Sequence, residues 1–168
     1  MAGSDMKALP EGVQRVAAAL QAAGHPHGPV MLGDAARTAQ QAADALGVGV
    51  GQIAKSIIFR RKDDDRAVLV ITSGDRRVDE KKVAALVGKL SRADAEFVRT
   101  RTGFAIGGVS PVAHANPPVT LIDRELFRFE EIWAAAGHPH GVFRLQPLDL
   151  VTLTGAPVAD IDQAAPVP

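Results

Sequence analysis

The stretch Ser56-Ile57-Ile58-Phe59-Arg60-Arg61-Lys62-Asp63-Asp64-Asp65-Arg66-Ala67-Val68-Leu69-Val70-Ile71-Thr72 decides the fold. Two apolar runs rich in β-branched residues, Ser56–Phe59 and Ala67–Thr72, flank a charged segment, Arg60–Arg66. That pattern predicts two strands joined by a solvated hairpin tip. The three consecutive aspartates lie among Arg60, Arg61, Lys62 and Arg66, so the pattern predicts a tip rather than a metal site.

Outward from the hairpin, the period changes. On its N-terminal side Val13, Val16, Ala17, Leu20 and Ala23 recur at helical spacing, with Gly24 placed to end the helix. Thr38 and Gln41 fit a capping box for a helix through Leu46, with Gly47 as its stop. A short turn through Val50 and Ile53 leads to the first strand. On the C-terminal side Asp79–Leu90 reads as a helix, and Ser91 with Asp94 as the cap of a short turn. Phe97–Thr100, Phe104–Ile106, Val119–Ile122, Ile132–Ala135 and Val142–Leu145 read as strands. Pro147–Leu153 reads as a helical turn ended by Gly155. Early helices followed mostly by closely linked strands predict an α+β domain with a mixed or largely antiparallel sheet, not a doubly wound one. The expected limits are a loose segment 1–9, one domain over 10–161, and a tail over 162–168.

Composition narrows the chemistry. The 168 residues hold 19 basic and 19 acidic side chains and no cysteine. A thiol nucleophile, a disulfide scaffold and Cys-ligated zinc or iron–sulfur sites are excluded. No apolar run is long enough to span a bilayer, which predicts a soluble, cytoplasmic protein. The zero net charge is a cancellation. Residues 55–101 carry 13 basic and eight acidic groups, while 102–168 carry three and seven. The basic third fits either a phosphate backbone or an ordinary solvated face.

Four candidate sites follow. The string Ala-Ala-Gly-His-Pro-His-Gly occurs at 22–28 and again at 135–141, giving the His25/His27 and His138/His140 pairs. A shared divalent metal and plain turn chemistry both account for it. Lys55 stands among Ile53, Ala54, Ile57 and Ile58. Partial burial there would depress its pKa or fix a cation for a phosphate or carboxylate, and a snorkelling strand-end lysine is the alternative. Gly107 and Gly108 allow a backbone whose N–H groups bind an oxyanion beside Ser110, and a plain glycine bulge is the alternative. Ser110, His114 and Asp123 suggest a triad, but no Gly-x-Ser-x-Gly elbow is present and Pro111 constrains the turn after the serine. Six Phe and one Trp are too dispersed for an RNA-recognition sheet.

These motifs occur in an order that resembles the YbaK/EbsC family of free-standing aminoacyl-tRNA editing domains, related to the editing insertion of bacterial prolyl-tRNA synthetases. The stretches are Arg37-Thr38-Ala39, Gln52-Ile53-Ala54-Lys55-Ser56, Ser73-Gly74-Asp75-Arg76-Arg77-Val78-Asp79, Gly107-Gly108-Val109-Ser110-Pro111, Pro118 to Asp123, Ala136-Gly137, and Leu145 to Ala156. The resemblance implies one YbaK-like α+β domain, with a mixed, largely antiparallel sheet or partly closed barrel flanked by helices. It implies hydrolysis of the ester of a small mischarged amino acid (alanine, 2-aminobutyrate, cysteine or serine) on tRNA, foremost proline tRNA. Neither metal nor other cofactor nor protein nucleophile is implied. Lys55, Gly107 and Gly108 are the implied catalytic residues, and Thr38, Ser56, Ser110 and His138 the implied substrate-binding ones. The implied partners are the aminoacyl-tRNA acceptor end and prolyl-tRNA synthetase, with neither membrane nor DNA expected. A non-catalytic nucleotide- or nucleic-acid-binding regulatory module is the alternative.

Overall fold

A computed structural model describes residues 9–33 and 36–163. The chain forms one α+β domain. Its described helices are α1 (Glu11–Ala22), α2 (Ala39–Leu46), α3 (Glu80–Val87), α4 (Ala95–Thr102) and α5 (Pro147–Thr154). Its strands are β1 (Val30–Met31), β2 (Ile53–Arg61), β3 (Ala67–Ser73), β4 (Leu90–Arg92), β5 (Val119–Asp123), β6 (Ile132–Ala135), β7 (Gly141–Leu145) and β8 (Val158–Ala159). They build one mixed sheet in the order β1-β7-β6-β2-β3-β5-β8, with β4 also paired to β2. The sheet stays open and does not close into a barrel. No helix among the described residues is long and apolar enough to cross a membrane.

The β2–β3 hairpin is the spine, antiparallel from Ala54 opposite Ser73 to Arg60 opposite Ala67. Arg60–Asp65 and Arg61–Asp64 ion pairs, both at 2.7 Å, close its tip. All seven β3 residues are buried, because both faces of that strand are covered. Leu69 and Ile71 meet Val16 and Leu20 of α1, Phe143 of β7 and Leu150 of α5 on one face. Val68 and Val70 meet Val83 of α3 and Ile161 on the other. A strand covered on both sides reads as a continuous apolar run, and each large side chain so enclosed contributes about 1.5–3 kcal/mol.

Local signals place the helices. Thr38 accepts from the Gln41 N–H while the Gln41 side chain returns to the Thr38 N–H, and Gly47 ends α2 at φ 71°. Gly155 ends α5 at φ 68°.

Two expected strands are not strands. Asp94 accepts from the Phe97 N–H and starts α4, so Phe97–Thr100 is helical, with Phe97, Val98 and Thr102 turned to the core. Phe104–Ile106 is loop: Phe104 plugs the core at 2% exposure while Ile106 lies 58% exposed. The expected helix over Asp79–Leu90 ends at Val87, and Leu90 begins β4. Most of the expected terminal segments, 1–8 and 164–168, lies outside the described residues. Asp162 is within them and is no tail residue, since it bridges Val78 and is 5% exposed.

Candidate functional site

The sheet has a gap. One edge of β2 is paired to β3 throughout. Its other edge meets β6 only at Ile53 and Ala54, and β4 only from Phe59 to Arg61. Between these contacts the edge from Lys55 to Ile58 has no strand partner among the described residues. A cleft of about 340 Å³ opens there, bounded by the start of α2, the 106–109 loop, β6 and the 139–142 turn. That volume falls in the usual range for small-ligand sites. Much of its wall is small: Ala39, Ala42, Ala54, Ala134 and Ala135 line it.

Lys55 lies inside β2, opposite Thr72, and is a half-buried residue of the cleft lining. Burial, then the charge of Arg77, hold its pKa below the ordinary lysine value, while Asp75 pulls the other way. Asp75 is itself held by Arg128 at 2.9 Å. Ser56 lines the cleft too, with a buried hydroxyl that has no hydrogen-bond partner among the described residues.

The glycine pair divides its work. Gly107 lines the cleft at φ +89°, a conformation that favours glycine. Among the described residues its amide donates no backbone hydrogen bond. The Gly108 amide donates to the Ala105 carbonyl at 3.0 Å. A Cβ on Gly108 would sit 2.8–2.9 Å from the N, Cα and C atoms of His138. So the expected pair of adjacent free amides is reduced to one, and Gly108 seats the loop on the His138 turn.

The other expected residues scatter. Thr38 lines the cleft, with its hydroxyl accepting the α2 cap bond. Ser110 is fully buried, its hydroxyl accepts from the Val112 N–H, and it does not line the cleft. The His138 ring accepts from the His140 N–H, and the neighbouring Pro139 is the residue that lines the cleft. No triad forms: His114 reaches the Ser110 carbonyl rather than its hydroxyl, and Asp123 accepts from Thr72. His25 bonds the Arg144 carbonyl and His27 meets the Arg144 guanidinium. Among the described residues no group of three or more His, Cys, Asp or Glu is placed to hold a metal.

Sequence reasoning did not single out Trp133, Ile57 or Ile106 as cleft residues, although all three line it. Trp133 is the one tryptophan of the chain. Ile132 and Ala134 are buried while Trp133 and Ala135 are half-buried. That alternation was legible as a strand, but which face met the gap depended on where β2 docked.

Fold and cleft together define a small α+β domain whose cleft is lined by the half-buried Lys55, by Arg37, Thr38 and Ser56 and by the Gly107 loop, while Ser110, His114 and Asp123 form no triad. Residues 34–153 match the aminoacyl-tRNA editing domain model, and the chain belongs to that family. A crystal structure described as a proposed trans-editing enzyme for prolyl tRNA synthetase superposes with a TM-score of 0.88. It shares 43% sequence identity and covers 94% of this chain and 100% of that one. YwhH of Bacillus subtilis, functionally uncharacterized, is 35% identical over 114 residues, 67% of this chain and 72% of YwhH. A proline–tRNA ligase of Thermoanaerobacter sp. (strain X514) is 30% identical over 94 residues, 54% of this chain but only 16% of the ligase.

Proposed function

We propose that this protein is a trans-acting aminoacyl-tRNA deacylase that hydrolyses the ester of a small mischarged amino acid on proline tRNA. The observation that supports this most is the position of Lys55, half-buried in a small-walled cleft beside the Gly107 amide. In this reading the acceptor end enters the gap in the sheet. Lys55 holds the negatively charged phosphate side of the terminal nucleotide. The Gly107 N–H meets the oxyanion as water adds to the ester carbonyl, and the ribose oxygen leaves with a proton. Positioning and electrostatics suffice for an activated ester, so no protein nucleophile is needed. The alanine-rich wall supports a small substrate side chain, since excluding a larger residue by sterics is easier than preferring a smaller one by lost methylenes.

The test is ester loss from proline tRNA charged with alanine, 2-aminobutyrate, cysteine, serine or proline, with Lys55→Ala and chelator-treated protein alongside. The expected result is loss of one or more small amino acids, spared proline, a Lys55→Ala defect and no chelator effect. If every ester survives, the deacylase reading falls and a binding module takes its place.

A further inference from the structure

Lys55 and Ser56 are consecutive on β2, so their side chains project to opposite faces of the sheet. Ser56 lies opposite Ile71 of β3, and cross-strand partners share a face. Its side chain is therefore on the side of the main core, with Ile71 and Ile58. A second, smaller pocket of about 170 Å³ adjoins the cleft there, at the gap in the sheet. Ile58, Ala93 and Val98 wall it, and it shares Ser56, Ile106 and Gly107 with the cleft. Lys55 lines the cleft but not the smaller pocket.

The shared residues set how a substrate divides between the two. An ester carbonyl held at the Gly107 N–H carries two substituents, the ribose oxygen and the Cα of the amino acid, and they leave the carbonyl carbon in different directions. Lys55 draws the phosphate side of the nucleotide into the cleft. The amino acid is then directed past the alanine wall, which limits its width, and into the smaller pocket. Among the described residues Ser56 is the only polar side chain lining that pocket. Its hydroxyl is buried with no hydrogen-bond partner among them, a standing cost that a ligand hydroxyl removes. The hydroxyl moves among staggered positions about one bond and both donates and accepts, so it can meet that partner without movement of the strand.

We propose that the smaller pocket seats the side chain of the amino acid and that Ser56 selects for a hydroxyl on it, so that serine is preferred to 2-aminobutyrate, its isostere with a methyl group in place of the hydroxyl. This rests on the deacylase reading and deepens it by naming the substrate class. A site with its own hydrogen-bonding group rejects an analogue lacking the partner better than an apolar pocket rejects a small difference in size.

The experiment charges one proline tRNA with serine, 2-aminobutyrate or alanine and compares kcat/KM for ester loss, each corrected for uncatalysed hydrolysis. Wild-type protein is expected to favour serine over 2-aminobutyrate. Ser56→Ala should lower that ratio roughly three- to tenfold, the worth of one hydrogen bond between neutral groups. Ala93→Val narrows the smaller pocket and should lower the ratio of 2-aminobutyrate to alanine. A wild-type preference for 2-aminobutyrate, or an unchanged ratio in Ser56→Ala, overturns the selection by Ser56. An unchanged ratio in Ala93→Val overturns the placement of the side chain. Non-cleavable amides separate this from the deacylase reading: NMR titration with 3′-serylamino-3′-deoxyadenosine and its 2-aminobutyryl counterpart. Tighter binding of the seryl compound, reduced in Ser56→Ala, supports the proposal even if wild-type protein cleaves no ester. Equal binding of the two amides, or binding of neither, overturns it.

Discussion

Gly108 and His138 are packed backbone to backbone: a Cβ on Gly108 would lie within 2.9 Å of three His138 main-chain atoms. Neither side can yield cheaply, because His138 sits in a turn closed by the Gly141 N–H donating to its carbonyl. Gly108→Ala must therefore lift the 105–109 loop. Overpacking of this kind costs about 1–3 kcal/mol, so thermal unfolding should shift downward. Ester hydrolysis should fall as well, since the same loop carries the Gly107 amide. Gly107→Ala makes only an ordinary van der Waals contact, with Pro139 Cγ at 3.9 Å, but keeps a φ of +89°. It should cost about 1–2 kcal/mol from backbone strain alone. A Gly108→Ala variant as stable and active as wild type would refute the packing role.

Lys55 is expected to trade stability for activity. Its pKa is lowered chiefly by burial, so the folded protein releases that proton at a lower pH than the unfolded chain does. The unfolded state then binds more protons across that interval, and stability rises with pH there. At neutral pH the charged lysine is a cost. Lys55→Met should raise the unfolding temperature while lowering turnover. A loss of both stability and turnover would show that the ammonium is satisfied by the fold rather than reserved for a ligand.

Thr38 is read differently by sequence and by structure. Its hydroxyl caps α2, and losing such a cap costs about 1 kcal/mol. Thr38→Ala should destabilise by that amount, and Thr38→Ser should restore it. Both effects are measurable by denaturant unfolding. If Thr38→Ser restores stability but not activity, the Thr38 methyl group matters to the ligand.

The capping box at Thr38, the αL glycines at 47 and 155, and the β2–β3 hairpin were legible because each is decided by neighbours in sequence. Phe97–Thr100 misled because Phe97, Val98 and Thr100 favour strands intrinsically, while the Asp94 cap and the helical spacing of Val98 and Thr102 outweighed them. β1, β4 and β8 are two or three residues long. They exist only through their partners, so no local pattern marks them. The site divided the same way. Lys55 and the glycine pair stood out as residue types, and the resemblance named both. The turned-in hydroxyl of Ser110, the committed amide of Gly108 and the cleft face of Trp133 depend on contacts between segments far apart in the chain.

Asp162 links the C-terminal end of the described residues to the sheet under the site. Its carboxyl is buried beside that of Asp123, which accepts from the Thr72 hydroxyl, and Thr72 lies opposite Lys55. Burial, then the hydrogen bond and charge of Asp123, push the Asp162 pKa up to about 7. Arg76 opposes this only in part. In the unfolded chain an aspartate titrates near 4, so between those values the folded protein holds a proton that the unfolded chain has lost. Stability from this pair is fully present below about pH 4 and is lost as pH rises through about 7. Above that, two buried carboxylates face each other. Asp162→Asn keeps a neutral group of the same shape, so its unfolding temperature should exceed that of wild type at pH 8 and match it near pH 4. Chemical denaturation across pH 5 to 8 should show the wild-type decline and a flatter Asp162→Asn profile. Parallel profiles would mean that the proton is not shared and that Asp162 titrates as an ordinary carboxylate.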